Sequence, residues 1–206
     1  MKVELKNVRL RYSNGLYVAS KFTGVGADPN AKEKYEGKFI IEKGDANYDA
    51  VVGAIQKEAI REWGAAADET LRAVKSLGMI WCLIDGDTKK DDKHTIGKFI
   101  VTAKNTLRPL LCDKVVDPAT GKARVIQSST DPKAPYGGCY VNAIVDVRAG
   151  SKPQKQVYAY LLGVQYWGDG DRLGAAQATA DDFEAIPGTE AAGTPASAAG
   201  GADALF

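Results

Sequence analysis

The sequence predicts a mainly β protein: an antiparallel barrel carrying a short helical insertion and a disordered C-terminal tail. Three observations predict it. Seven or eight segments have strand length and strand patterning, with turn signals between them. A single long stretch, residues 45–64, changes to a helical period. After Leu173 the pattern ends and the composition shifts to Ala, Gly, Thr and Pro.

The first segment, KVELKNVRLRY, alternates, but its apolar phase changes midway. Val3 and Leu5 are at odd positions while Val8 and Leu10 are at even ones, so a bulge is expected near Asn7. Asn14-Gly15 is a two-residue turn signal, and LYVASKF is expected to return as a second strand. Residues 24–36 read as an exposed loop with a flexible Gly24-x-Gly26, and GKFIIEK as a third strand. In ANYDAVVGAIQKEAIREWG, Val52, Ile55, Ala59 and Trp63 share one helical face; Asp45 or Asn47 is expected to cap its start and Gly64 to end it. A shorter helix is expected from an Asp68 cap to Gly78. Strands resume with MIWCLI, GKFIVTAKN, a hairpin around DPATGK, and the long pair GGCYVNAIVDVRAG and QVYAYLLGVQYWGDG. Long bent strands and a bulged first strand favour a partly open barrel of the OB type. The expected domains are residues 1–176 and a flexible acidic tail, 177–206, too poor in apolar groups to offset the entropy of ordering.

Composition limits the function. No apolar run reaches the eighteen or so residues that a membrane helix needs. Cys82, Cys112 and Cys139 are widely spaced and odd in number, which argues against a disulfide framework and for a reducing cytosol. All 27 Lys and Arg lie at or before Arg172, against 21 acids, which leaves the body at +6; five acids and no cation follow. A basic body suggests an anionic partner.

The strands carry that charge in rows. Cys139, Val141, Ala143, Val145 and Val147 are expected to face the core, leaving Tyr140, Asn142, Ile144, Asp146 and Arg148 outside. Phe99, Val101 and Ala103 point inward, and Lys98, Ile100, Thr102 and Lys104 outward; Lys38 has a similar context, and Arg9 and Arg11 share a face of the first strand. Cations to track phosphates beside rings to stack bases are what sequence-tolerant binding of a single strand requires. Tyr158, Tyr160, Tyr166 and Trp167 lie in a segment apolar on both sides and are expected to pack. An alternative is a metal-dependent nuclease using Asp85, Asp87, Asp91, Asp92 and His94, although three lysines among these acids weaken their pull on a cation. Neither a Gly-rich phosphate loop ending in Gly-Lys-Ser/Thr nor a G-x-S-x-G elbow occurs, so no enzyme and no cofactor are expected.

YGGCYVNAIVDVRAG, LLGVQYWGDGDRLG, LIDGDTKK and the opening KVELKNVRLRY together resemble the phage single-stranded-DNA-binding family with an OB fold, over roughly residues 1–176. The resemblance implies non-catalytic coating of single-stranded DNA in phage replication or recombination, through a groove onto which Lys98, Lys104, Tyr136, Tyr140, Asn142 and Arg148 map by motif. It also implies a role for the end of the chain, ADALF. Such binders commonly finish on an acidic tail tipped by Phe, and Asp203, Leu205 and Phe206 would then recruit a replication or recombination protein. Oligomerisation through the barrel edges is compatible with the sequence.

Overall fold

The computed structural model describes residues 1–24, 27–77, 80–89 and 92–173. Gly26 of the first loop, the helix-ending Gly78, Asp91 and the whole expected tail, with Asp203, Leu205 and Phe206, lie outside those residues.

The phase change in the first segment becomes a bulge in β1 (Lys2–Tyr12). Pairing with β7 (Tyr140–Gly150) steps from Leu5↔Ala143 to Val8↔Val141, and Asn7 takes φ 50°, a left-handed conformation that Asn tolerates. The extra residue lets Val3 and Leu5 before it, and Val8 and Leu10 after it, all reach the core.

Asn14-Gly15 does not make a hairpin. Asn14–Tyr17 forms a single helical turn, α1, that buries Leu16, and LYVASKF contributes only an isolated bridge, Ser20↔Lys34. Gly15 is needed for space: a β-carbon there would lie 2.5 Å from the carbonyl oxygen of Glu36 in β2 (Tyr35–Glu42). The chain thus reaches β2, which pairs antiparallel with β1, without an intervening strand.

α2 (Ala46–Trp63) starts where Asp45 accepts a 2.7 Å hydrogen bond from Tyr48 N and stops at Gly64, φ 57°. It buries Val51, Ala54, Ile55 and Ala59, a face rotated slightly from the expected one, with Val52 and Trp63 half-buried at its border. α3 (Ala67–Ser76) has no side-chain cap; Asp68 lies inside its first turn, where it favours the helix dipole without capping the end. This insertion covers β1 and β7 at one end of the barrel.

β3 (Leu83–Asp85), β4 (Lys98–Asn105), the hairpin of β5 (Leu110–Val116) with β6 (Ala123–Val125), β7 and β8 (Gln156–Gly168) complete an eight-stranded sheet, ordered β3-β4-β2-β1-β7-β8-β5-β6. Among the described residues the β5–β8 strand pair alone is parallel, beside the isolated parallel bridge Trp81↔Val157. The sheet curls until β8 meets the far side. Val157 N donates to Ile80 O at 2.9 Å, Trp81 bridges to Val157, and Asn105 Nδ2 donates to Leu161 O at 3.0 Å. Inside lie Leu5, Leu10, Phe39, Val101, Val141 and Leu161, and Cys139, Val141, Ala143, Val145 and Val147 are all buried as the alternation requires. Ile100 points away from this core yet is only 1% exposed: it pairs with Ile40 and Ile84 in an apolar row on the outer wall.

The two glycine-rich blocks of the sequence touch. Gly138 has φ 108°, and a β-carbon there would sit 2.0 Å from Asp171 O; one at Gly170 would sit 2.4 Å from Gly138 O. Backbone packs directly on backbone where β7 begins and β8 ends. Gly138→Ala is therefore expected to lower stability by about 3 kcal/mol or more, read from the midpoint of urea unfolding. The β5–β6 hairpin is tethered by Arg124, which donates to Asp131 at 2.7 Å and to the buried Asp113 at 3.0 Å. Arg124 holds the Asp131 carboxyl down to about 2. Its contribution is complete above the unfolded value near 4 and is lost as pH falls through about 2, which carboxyl NMR titration will follow.

Candidate nucleic-acid interface

A groove of about 820 Å³ runs along the outer wall where β4 and β8 meet. One side comes from β2 and β4. Strand alternation sends Phe39, Val101 and Ala103 inward, so Glu36, Lys38, Thr102 and Lys104 face out, with Lys38 opposite Thr102 and Glu36 opposite Lys104. The other side comes from β8: Val157, Ala159 and Leu161 are buried, which turns Tyr158 and Tyr160 outward, edge to face with centroids 5.3 Å apart. Lys34, Lys152 and Trp81 extend the lining. Beside the groove Tyr12 is 50% exposed, with Lys38 Nζ 5.6 Å from its ring centroid and the Arg11 guanidinium at 4.9 Å. The seam thus presents cations and half-exposed rings together.

Of the residues singled out in the sequence, Lys38 and Lys104 lie in this groove. Lys98 is at the opposite end of β4, paired with Glu42 at 2.8 Å. Arg11 turns to Asp92 at 2.5 Å, both side chains being mostly buried. Arg9 braces the glycine-rich blocks, donating through Nε to Gly138 O at 3.2 Å and through Nη2 to Asp171 O at 2.8 Å. The Tyr136 hydroxyl is within 3.0 Å of Asp169 Oδ1 and Gly170 O, and Arg172 lies 4.4 Å over its ring; burial raises this phenol's pKa. Tyr140 is opposite Arg9 in the β1–β7 register. Asn142 holds the bulge, accepting from Asn7 N at 2.9 Å and donating to Gln165 at 3.0 Å. Arg148, eight residues along β7 and so about 26 Å from Tyr140, pairs with Asp146 at 2.7 Å in a group with Glu58 and the N-terminal amine. The structure brings two of these residues into one groove and distributes the others around the barrel.

Tyr158, Tyr160 and Trp167 correct the sequence reading, which had all four aromatics of β8 packed. Only Tyr166 is buried, at 2%, while Tyr160 and Trp167 are 41% and 46% exposed. The signal was present in the alternation of Val157, Ala159 and Leu161, but apolar residues on both faces of the strand masked it.

The acidic segment is a braced loop. Asp85 accepts from Asp87 N at 3.0 Å, Asp87 accepts from Gly97 N at 2.6 Å, and Asp92 accepts from His94 N at 3.0 Å while paired with Arg11. These carboxylates close turns, and among the described residues no three metal-ligating side chains come together. Burial pushes the Cys82 and Cys139 thiols up to about 12 and about 11, and raises Cys112 as well, so all three stay protonated near neutral pH. Among the described residues no helix is long and apolar enough to cross a membrane.

A bulged antiparallel barrel with a basic, ring-walled groove is the architecture of nucleic-acid-binding β barrels. The family described as "Enterobacter phage Enc34, ssDNA-binding protein" matches residues 1–193, and the chain belongs to it. That family is one of binding proteins and not of enzymes. A curated relative, "Putative protein p50" of Acyrthosiphon pisum secondary endosymbiont phage 1, is 33% identical over 187 residues, covering 89% of this chain and 93% of its own. Two solved structures of the single-stranded DNA-binding protein from bacteriophage Enc34 are similar in fold. The C-terminally truncated form has a TM-score of 0.57 at 18% identity, over 84% of this chain and 88% of its own. The form in complex with ssDNA has 0.57 at 19%, over 84% and 89%.

The Arg11–Asp92 pair joins β1 to the loop that leads into β4. Asp92→Asn leaves a largely buried guanidinium without its counter-charge, and is expected to cost about 1–3 kcal/mol in thermal or urea unfolding.

Proposed function

We propose that this chain is a sequence-tolerant single-stranded-DNA-binding protein of phage replication or recombination, acting in the host cytoplasm, that seats DNA in the groove between β4 and β8. The observation that carries this reading is the juxtaposition of Lys38 and Lys104 with Tyr158 and Tyr160 across the seam. The lysines supply charge for phosphates and the tyrosines supply faces for unpaired bases. A duplex hides its bases and would gain only the charge. Family membership supports the same ligand, as does the solved complex of the Enc34 protein with ssDNA.

Arg9, Tyr136, Tyr140 and Asn142 belong in this reading to a supporting wall. The polar atoms of Arg9, Tyr136 and Asn142 hold backbone and neighbouring side chains, and the Tyr140 ring lies against Gly170, so their substitution should affect folding more than DNA affinity. Arg11, Lys98 and Arg148, each paired with an acid and absent from the groove lining, make no direct contact with DNA in this reading. For residues 177–206 the proposal is recruitment: Leu205 and Phe206 enter an apolar pocket on a replication or recombination protein, with Asp203 against a basic rim.

The test is a fluorescence titration with oligonucleotides of increasing length, for which Trp81 in the groove is a reporter. Binding should weaken with salt by about 0.7 in log K per phosphate neutralised, for each tenfold rise. Tyr158→Ala and Tyr160→Ala should each cost roughly 1–3 kcal/mol of binding where a base stacks on the ring. Equal affinity for a duplex of the same length, or no loss in either tyrosine variant, overturns the assignment of the groove.

A further inference from the structure

Glu36 sits in the groove where a bridging anion would. Its Oε1 lies 3.2 Å from Lys38 Nζ and its Oε2 3.4 Å from Lys104 Nζ, so each ammonium holds one oxygen of the same carboxylate. The β2–β4 register produces this arrangement. Lys104 is directly opposite Glu36, and Lys38 is two residues further along the same face of β2. With side-chain exposures of 25% for Glu36 and 31% for Lys38, neither charge is fully screened by water. The other acid–lysine pair on these strands, Glu42 with Lys98, is at their far end and outside the groove.

We propose that Glu36 is a built-in phosphate surrogate. It occupies Lys38 and Lys104 in the free protein, and a DNA phosphate takes over the two lysines only by displacing it. This rests on the reading of the groove as the DNA site and sets a threshold that every polyanion must pass. Two lysines on a strand pair attract any polyanion. With a carboxylate already between them, an incoming phosphate gains less from charge, because it replaces one anion with another beside a repelled Glu36. A ligand that also stacks bases on Tyr158 and Tyr160 offsets that displacement, and a duplex does not. The same competition speeds dissociation, as a carboxylate held nearby is ready to reclaim the lysines when a phosphate leaves. A protein that coats a strand and must be cleared from it benefits from that exchange.

The experiment compares the full chain with Glu36→Gln, with Lys38→Ala/Lys104→Ala, and with the triple variant. Each is titrated with a single-stranded oligonucleotide and with a duplex of equal length over a range of salt, after circular dichroism and thermal melts have established folding. Glu36→Gln should bind the single strand about fivefold tighter, the order expected from removing one partly screened competing charge. Its salt slope should steepen by up to about 0.7, one further phosphate neutralised. The duplex should gain by a similar factor, so duplex binding that is weak in the unmodified protein rises with it. In the triple variant Glu36→Gln should bring no gain, since the lysines it frees are absent. If the lysine variant weakens but Glu36→Gln binds no tighter, or its gain persists without the lysines or is confined to the single strand, the surrogate role is overturned and the groove stands. If the lysine variant binds like the unmodified protein, the groove itself is misassigned.

Discussion

Everything on the outer wall depends on how β8 closes the barrel. Its thirteen residues pair with β7 from end to end, and the strand also serves two further neighbours. Near its start, Val157 and Leu161 take hydrogen bonds from or give them to the segment before β3 and the end of β4; from Gly163 on, it pairs in parallel with β5. A straight strand cannot face both partners. The pairing with β7 shifts register between Ile144 and Val145, opposite Gly163 and Leu161, so the strand bends there. That bend puts Tyr158 and Tyr160 beside Lys38 and Lys104, residues that β2 and β4 alone would leave on an open sheet face. The groove is a product of closure.

The glycine-rich blocks illustrate a division of labour. They carry the family likeness at the sequence level, and in the fold they hold backbone against backbone, with Arg9 and Tyr136 tying the carbonyl groups on either side. A close backbone approach tolerates almost no side chain, so such residues leave a strong signature. Residues that meet a flexible polyanion work through charge and ring faces, which many sequences can supply. The most legible positions of this chain are therefore architectural, and the least legible are those of the proposed groove.

That asymmetry explains what the sequence revealed. Period-two alternation is enforced by burial on one side, so the inward faces of β4 and β7 and the bulge at Asn7 were readable from apolar phase alone. The helix at Ala46–Trp63 was readable because Asp45 and Gly64 punctuate a 3.6-residue period. Asn14-Gly15 misled because a glycine chosen for close approach to Glu36 has the same letter as one chosen for a positive φ. Arg9, Arg11 and Asn142 are expected ligand contacts on type and face. Their partners within the fold, Asp171, Asp92 and the bulge amide of Asn7, are distant in sequence, and no local pattern encodes them. β8 was hard to read because closure surrounds it with apolar neighbours.

The pairing order also bears on how the chain acquires its shape during synthesis. β1 sits at the middle of the sheet, yet one of its two neighbours arrives late: Lys2 is opposite Asp146. As the polypeptide leaves the ribosome, its N-terminal strand has a free edge and unpaired amides for most of translation. Contacts of such long sequence separation put the barrel among the slower folders, with that edge open to wrong partners in the meantime. Lys2, Glu4 and Lys6 alternate along it, two of them strongly exposed even in the finished protein, and charged residues on a waiting edge discourage pairing with other chains.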